Sequence, residues 1–245
     1  MPTEKNEKMT NAKRFINAYN IIDQELRIKH NFRRSMGFSD MIRKAVVVNF
    51  IVRRYEDELI DYGRLRNAII HKSNDEFLIA EPHKDVVEEF EKIAALISAP
   101  PKVLDTVCTK DVLTVQYDTS LKEVVKLIYQ STFSNLPVYK KGGLIGVANG
   151  QKLLNVLGQK IADNVNIEDF LCNTKIEELV QDFIDIKYYE VVPIDITIEE
   201  ALNMFYKNRK LLIIILTKTG SMEEPPIGIL TPTDIMDMTK ILDSY

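Results

Sequence analysis

The chain has 245 residues, 45% hydrophobic and 28% charged, with a formal net charge of −4. That length allows one large domain or two modest ones, and the composition is that of a globular protein with no general affinity for polyanions. Cys108 and Cys172 are the only cysteines and stand far apart, and none of the three histidines pairs with them at ligand spacing, which argues against a disulfide framework and a structural metal.

The first eight residues, Met-Pro-Thr-Glu-Lys-Asn-Glu-Lys, are charged and lack the apolar core of a signal peptide. A cytoplasmic location is expected. Phe15, Tyr19, Ile22 and Leu26 recur at helical steps and predict a first amphipathic helix. Met41, Ala45, Val48, Val52, Tyr55 and Leu59 continue the same period and predict one long helix. Val86, Val87, Phe90, Ile93, Ala94 and Ile97 predict a last one, opened by Pro82 and closed by Pro100 and Pro101. Residues 1–99 therefore read as an all-α bundle.

Two features of this half carry chemistry. The segment Leu65-Arg66-Asn67-Ala68-Ile69-Ile70-His71 places Asn67 and His71 four residues apart on one helix face, with Arg66 about 100° around the axis. Ala68, Ile69 and Ile70 are expected on the buried side. His71 can move protons near neutrality, Arg66 can neutralise charge on phosphate oxygens, and Asn67 can position a group. The alternative is a surface arginine beside a structural histidine. Between Leu26 and Arg54 lie eight basic residues, Arg27, Lys29, Arg33, Arg34, Arg43, Lys44, Arg53 and Arg54, against one acid, Asp40. This stripe suits an RNA backbone or an ordinary solvated helix face equally well.

The motif Arg66-Asn67-Ala68-Ile69-Ile70-His71, after two long helices, resembles the HEPN family over about residues 8–98. The resemblance implies a metal-independent ribonuclease that acts as a dimer, its two motifs meeting across the interface. Arg66, Asn67 and His71 would then be the catalytic residues and RNA the partner. Ser73 stands where one HEPN branch carries a modified tyrosine, which argues against that branch.

After Pro101 the chain alternates short apolar runs with amphipathic helices, and it repeats. Asp118-Thr119-Ser120-Leu121 matches Asp195-Ile196-Thr197-Ile198. Leu136-Pro137-Val138 matches Ile213-Ile214-Ile215, and Gly146-Val147 matches Gly228-Ile229. The shared order is strand, helix, strand, turn, strand, helix, and two such units are expected to pack on one another. The longest apolar run, Leu211 to Leu216, reads as a buried strand and is too short to cross a membrane.

The second copy closes on Gly228-Ile229-Leu230-Thr231-Pro232-Thr233-Asp234. Thr231 suits a helix N-cap, Pro232 the first helical position and Asp234 the first turn. A hydroxyl, a carboxylate and free N–H groups converge there, an arrangement that suits a ribose with a phosphate behind it. With Val115, Val192-Pro193 and the repeated segments, residues from about 103 to 242 resemble a tandem CBS pair, or Bateman module. The resemblance implies an adenosine ligand: AMP, ADP, ATP, S-adenosylmethionine or cyclic di-AMP. It assigns the ribose to Thr231 and Asp234 and the phosphate to Arg209 or Lys210, with no cofactor required.

The first copy departs from this pattern. Asn149 stands in place of the hydroxyl and Lys152 in place of the aspartate, and an ammonium cannot accept from a diol. One nucleotide site per chain is expected, on the second copy. The fold class expected is α+β: an N-terminal all-α bundle (1–99), then a tandem pair of β-α-β-β-α CBS units (100–245; the first about 103–160, the second about 175–245). A homodimer is expected, since both families associate. The function expected is adenine-nucleotide sensing, with the helical half a metal-independent ribonuclease regulated by the nucleotide; the alternative is a non-catalytic ligand sensor whose helical half serves dimerisation or partner docking.

Overall fold

The computed structural model describes residues 9–70, 80–131, 133–181 and 188–244. The chain divides into two compact units. The first comprises residues 1–101 with Thr197–Asn203 and Lys240–Tyr245; the second comprises Lys102–Ile196 and Met204–Thr239.

The first unit is helical. Helix α1 (Asn11–His30) is capped by Thr10, whose hydroxyl accepts from the Lys13 N–H, and it ends at Asn31 in a left-handed conformation. It packs along α5 (Lys84–Ser98), with α2 (Phe38–Ala45), α3 (Phe50–Arg54) and α4 (Glu56–Ile70) beside them. Phe15, Tyr62 and Phe90 meet ring to ring, at 4.7 Å between Phe15 and Phe90 and between Tyr62 and Phe90. Phe15 and Phe90 are fully buried, as are Ile22, Leu26 and Leu59 of the same helices α1 and α4.

The single long helix expected over Met41–Leu59 is three helices instead. The Val46-Val47-Val48 run is β-branched and poor at extending a helix. Asn49 then leaves helical geometry (φ −130°), and its side-chain oxygen accepts from the Val52 N–H at 2.9 Å, which starts α3 afresh. Tyr55 separates α3 from α4.

A buried polar cluster completes this unit. Glu199, at the start of α10 (Ile198–Lys207), is 1% exposed. Its carboxylate accepts from Lys29 Nζ at 2.6 Å, from the Phe50 N–H at 3.2 Å and from Asn203 Nδ2. Asn203 also donates to the Val48 carbonyl. Arg54 pairs with Asp243.

The second unit holds two three-stranded sheets of the same design. Strand β1 (Val115–Gln116) runs parallel to β2 (Asn135–Lys140), which is antiparallel to β3 (Gly143–Asn149). Strand β4 (Tyr189–Pro193) runs parallel to β5 (Ile213–Thr217), which is antiparallel to β6 (Gly228–Leu230). Helix α6 (Leu121–Ser131) follows β1 as α10 follows β4. Helix α7 (Gly150–Ala162) follows β3, and α11 (Ile235–Asp243) follows β6 after a 3₁₀ turn. This is the order that the repeat predicts. Helices α8 (Ile167–Asn173) and α9 (Ile176–Gln181) lead from the first copy to the second.

The sheets share one apolar cluster. Tyr139, Leu144 and Val147 of the first meet Tyr188, Ile213, Ile215 and Ile229 of the second copy. A separate cluster, with Leu121, Val124, Leu136, Leu153 and Val180, fills the space under α6, α7 and α9. No described helix is long and apolar enough to cross a membrane.

Candidate functional site

The end of β6 positions the second-copy motif. Ile214 of β5 pairs with Leu230 of β6 in antiparallel register. The turn before β5 and the residue after β6 therefore lie at the same end of the sheet. That turn holds Arg209 and Lys210, both exposed, and the residue after β6 is Thr231.

Thr231 is extended (φ −129°, ψ 167°), and Pro232–Asp234 form one 3₁₀ turn before α11. The Thr231 N–H donates to Asp234 Oδ2 at 2.7 Å, and the Thr231 hydroxyl donates to the same oxygen at 3.0 Å. The Asp234 N–H returns a bond to the Thr231 carbonyl at 3.0 Å. Thr233 Oγ1 lies 2.6 Å from Thr231 Oγ1. The expected N-cap is thus a reciprocal capping box. It fixes the orientation of the carboxylate, and both described bonds fall on Oδ2.

A segment that sequence reasoning missed also belongs to this site. Thr109, in the lead-in to the first copy, exchanges both backbone hydrogen bonds with Ile229, at 3.1 and 2.9 Å. This adds an edge partner to β6 from 120 residues upstream. Cys108 then lies over Gly228, where a Cβ would stand 2.0 Å from its Sγ. Burial pushes the Cys108 thiol pKa up. The Asp234 carboxylate adds to that shift, while a backbone hydrogen bond from Ile229 and the Lys110 charge oppose it. A lone bridge residue leaves no periodic signal, so only the three-dimensional pairing reveals it.

The first copy is built differently at the matching place. Asn149 caps α7 by accepting from the Lys152 N–H at 3.0 Å, and its amide donates to Asn135 Oδ1 at 2.8 Å. Both asparagines are buried. The Lys152 ammonium lies 3.3 Å from the centroid of the Tyr188 ring, and burial lowers its pKa. Tyr188 in turn donates to the Val147 carbonyl at 2.7 Å. No carboxylate stands at this position, and its cation is already engaged by an aromatic face.

In the helical unit, Arg66 is half-buried on α4, with its guanidinium 4.7 Å from the Tyr19 ring centroid. It donates to Asn67 Oδ1 at 3.3 Å. Asn67 is exposed, and His71 lies outside the described residues. Of the apolar residues expected to bury this face, Ile69 does so fully, Ile70 partly, and Ala68 is exposed. The reason is rotation: α4 turns its core face through Leu59, Ile60, Gly63 and Ile69, which carries Ala68 to the solvent side.

The basic stripe is largely committed to the protein itself. Arg27 binds Asp23 and the carbonyls of Arg33 and Met36. Lys29 binds Glu199, Arg43 meets Asp40, Arg53 donates to the Val46 carbonyl and Arg54 pairs with Asp243. Among the described residues no group of three His, Cys, Asp or Glu is placed to hold a metal ion.

Residues 104–158 and 178–239 match the family model of the CBS domain. The chain carries a tandem CBS domain pair. No curated protein matches it. Similar solved structures include CBSX2 in complex with AMP, at 17% identity and TM-score 0.43, covering 58% of this chain and 98% of that one. The CBS domain of the bacterial CNNM/CorC family Mg2+ transporter in complex with ATP is 18% identical, with TM-score 0.44, covering 62% of this chain and 96% of that one. A CBS domain protein from Streptococcus pneumoniae TIGR4 is 18% identical, with TM-score 0.42, covering 58% of this chain and 85% of that one.

Proposed function

We propose that the CBS pair senses an adenosine nucleotide, held at the end of β6 by Thr231 and Asp234. The observation that carries this reading is the capping box. It holds a carboxylate and a hydroxyl at the start of α11, where Asp234 can accept from both hydroxyls of a ribose. The N–H groups of the turn, and Arg209 or Lys210 at the same end of the sheet, would take the phosphate. The first copy offers Lys152 in place of a carboxylate, so one nucleotide binds per chain. The ligand is AMP, ADP, ATP, S-adenosylmethionine or cyclic di-AMP.

The helical unit is read as the non-catalytic output of this sensor. Arg66 favours this over the ribonuclease reading: its guanidinium is stacked on Tyr19 and bonded to Asn67, so it serves to join α4 to α1. Thermal melts with each of the five compounds test the nucleotide reading. A ligand at a hundredfold excess over its Kd stabilises by about 2.7 kcal/mol, a shift of several degrees in a chain of this size. A melt that none of the five moves would overturn it.

A further inference from the structure

Where α2 gives way to α3, one residue breaks the helix. Val46 is helical (φ −49°, ψ −37°), and the Val48 and Asn49 N–H groups still donate to the Ala45 carbonyl, at 2.9 and 2.8 Å. Asn49 is extended (φ −130°, ψ 118°), and α3 starts at the next residue. Met41, Ala45, Val48 and Val52 nevertheless keep helical spacing across it.

In a continuous helix Phe50 and Val52 would donate to the carbonyls of Val46 and Val48. Side chains have taken over all four groups. The Phe50 N–H donates to Glu199 Oε1 at 3.2 Å, and the Val48 carbonyl accepts from Asn203 Nδ2 at 2.7 Å. The Val52 N–H donates to Asn49 Oδ1 at 2.9 Å, and the Val46 carbonyl accepts from Arg53 Nε at 3.0 Å. Arg53 also donates to Asn203 Oδ1 at 3.4 Å. Glu199 and Asn203 both belong to α10 and are buried. Withdrawing them orphans the Phe50 N–H and the Val48 carbonyl, and closing the helix at Asn49 is how the backbone satisfies both. The β-branched run Val46–Val48 weighs against the closed form. The segment thus has two arrangements, and α10 decides between them.

Helix α10 also leads to the proposed nucleotide site. Its first part, with Glu199 and Asn203, belongs to the first unit, and from Met204 onward it belongs to the second. Arg209 and Lys210 follow directly after its end at Lys207. Helix α11 starts after the Thr231–Asp234 capping box in the second unit. It ends in the first unit at Asp243, which pairs with Arg54 of α3.

We propose that the Asn49 break is a switch on which nucleotide binding acts, with α10 and α11 carrying the linkage from the phosphate and ribose residues to α3. This rests on the nucleotide reading of Thr231, Asp234, Arg209 and Lys210. Coupling of binding is reciprocal, so a variant that shifts the break shifts nucleotide affinity as well. Hydrogen–deuterium exchange on the full chain tests this beside isothermal titration, with AMP, ADP, ATP, S-adenosylmethionine and cyclic di-AMP in turn. A compound that binds changes the exchange of the amides of residues 46–54 by about fivefold or more, and Asp234→Ala abolishes the change. Two variants outside the nucleotide motif read the same linkage in affinity. Asn203→Ala removes the hold on the Val48 carbonyl, and Asn49→Ala removes the cap on the Val52 N–H. Both favour the closed helix, so both change the dissociation constant by about fivefold or more, in the same direction. A purely structural role would lower the melting temperature and leave the dissociation constant unmoved. Binding with unaltered exchange overturns the switch and leaves the nucleotide reading intact. So do folded variants whose dissociation constants stay at the wild-type value or move in opposite directions. A chain that binds none of the five compounds overturns the nucleotide reading and the switch with it.

Discussion

Cys108 occupies the space that a side chain on Gly228 would need, with Sγ 2.0 Å from the place of a Cβ. The lead-in to the first CBS copy and the motif that closes the second are thereby locked together. Gly228→Ala should destabilise the protein by about 1–3 kcal/mol through overpacking. The Cys108 Cβ is 3.8 Å from that position, an ordinary contact. Cys108→Ala should therefore rescue Gly228→Ala, and a double-mutant cycle by urea denaturation measures the coupling. Additive effects of the two changes would mean that this contact does not decide the need for glycine.

Glu199 is held by Lys29, the Phe50 N–H and Asn203 with almost no exposure to water. Lys29→Met would leave a buried carboxylate without its cation. Breaking a buried pair from one side costs about 3–5 kcal/mol. Replacing Glu199 with Gln at the same time should recover much of that loss, because the amide brings no charge to bury. Denaturant midpoints of the two variants check both statements.

Tyr139 and Tyr188 sit in the cluster shared by the two sheets, and burial raises their hydroxyl pKa values to about 12 in each case. The unfolded chain loses these protons near pH 10. The folded state holds more protons than the unfolded state between those limits. Their contribution to stability is thus complete below pH 10 and is lost as pH rises towards about 12. Tyr188→Phe should flatten that alkaline decline, as followed by melts across the range. It should also remove the hydrogen bond to the Val147 carbonyl, at about 1 kcal/mol.

If the helical unit is non-catalytic, RNA incubated with the protein in EDTA remains intact, and His71→Ala behaves as the wild type does. Cleavage that is lost in His71→Ala would restore the ribonuclease reading, whatever its response to AMP or ATP.

The repeat was legible because both copies spell strand, helix, strand, turn, strand, helix with matching caps, and these are local signals. Thr231 and Asp234 were legible for the same reason: a capping box is contained in four residues. The break of the expected Met41–Leu59 helix was not, because Val48, Val52 and Tyr55 keep helical spacing on both sides of Asn49, and an asparagine between apolar positions, with no glycine or proline beside it, reads equally well as the polar face of a continuing helix. Thr109 and Cys108 were hidden for a different reason. Their partners, Ile229 and Gly228, lie 120 residues away, and pairing at that distance has no period to read. The commitment of the basic stripe was also hidden, since Lys29 and Arg54 find Glu199 and Asp243 only through the fold.

The most direct test of the account is isothermal titration of AMP and ATP into the wild type and into Asp234→Ala. One nucleotide per chain is expected for the wild type and none for the variant, with both proteins equally folded. Two nucleotides per chain, or binding that survives loss of the Asp234 carboxylate, would contradict it.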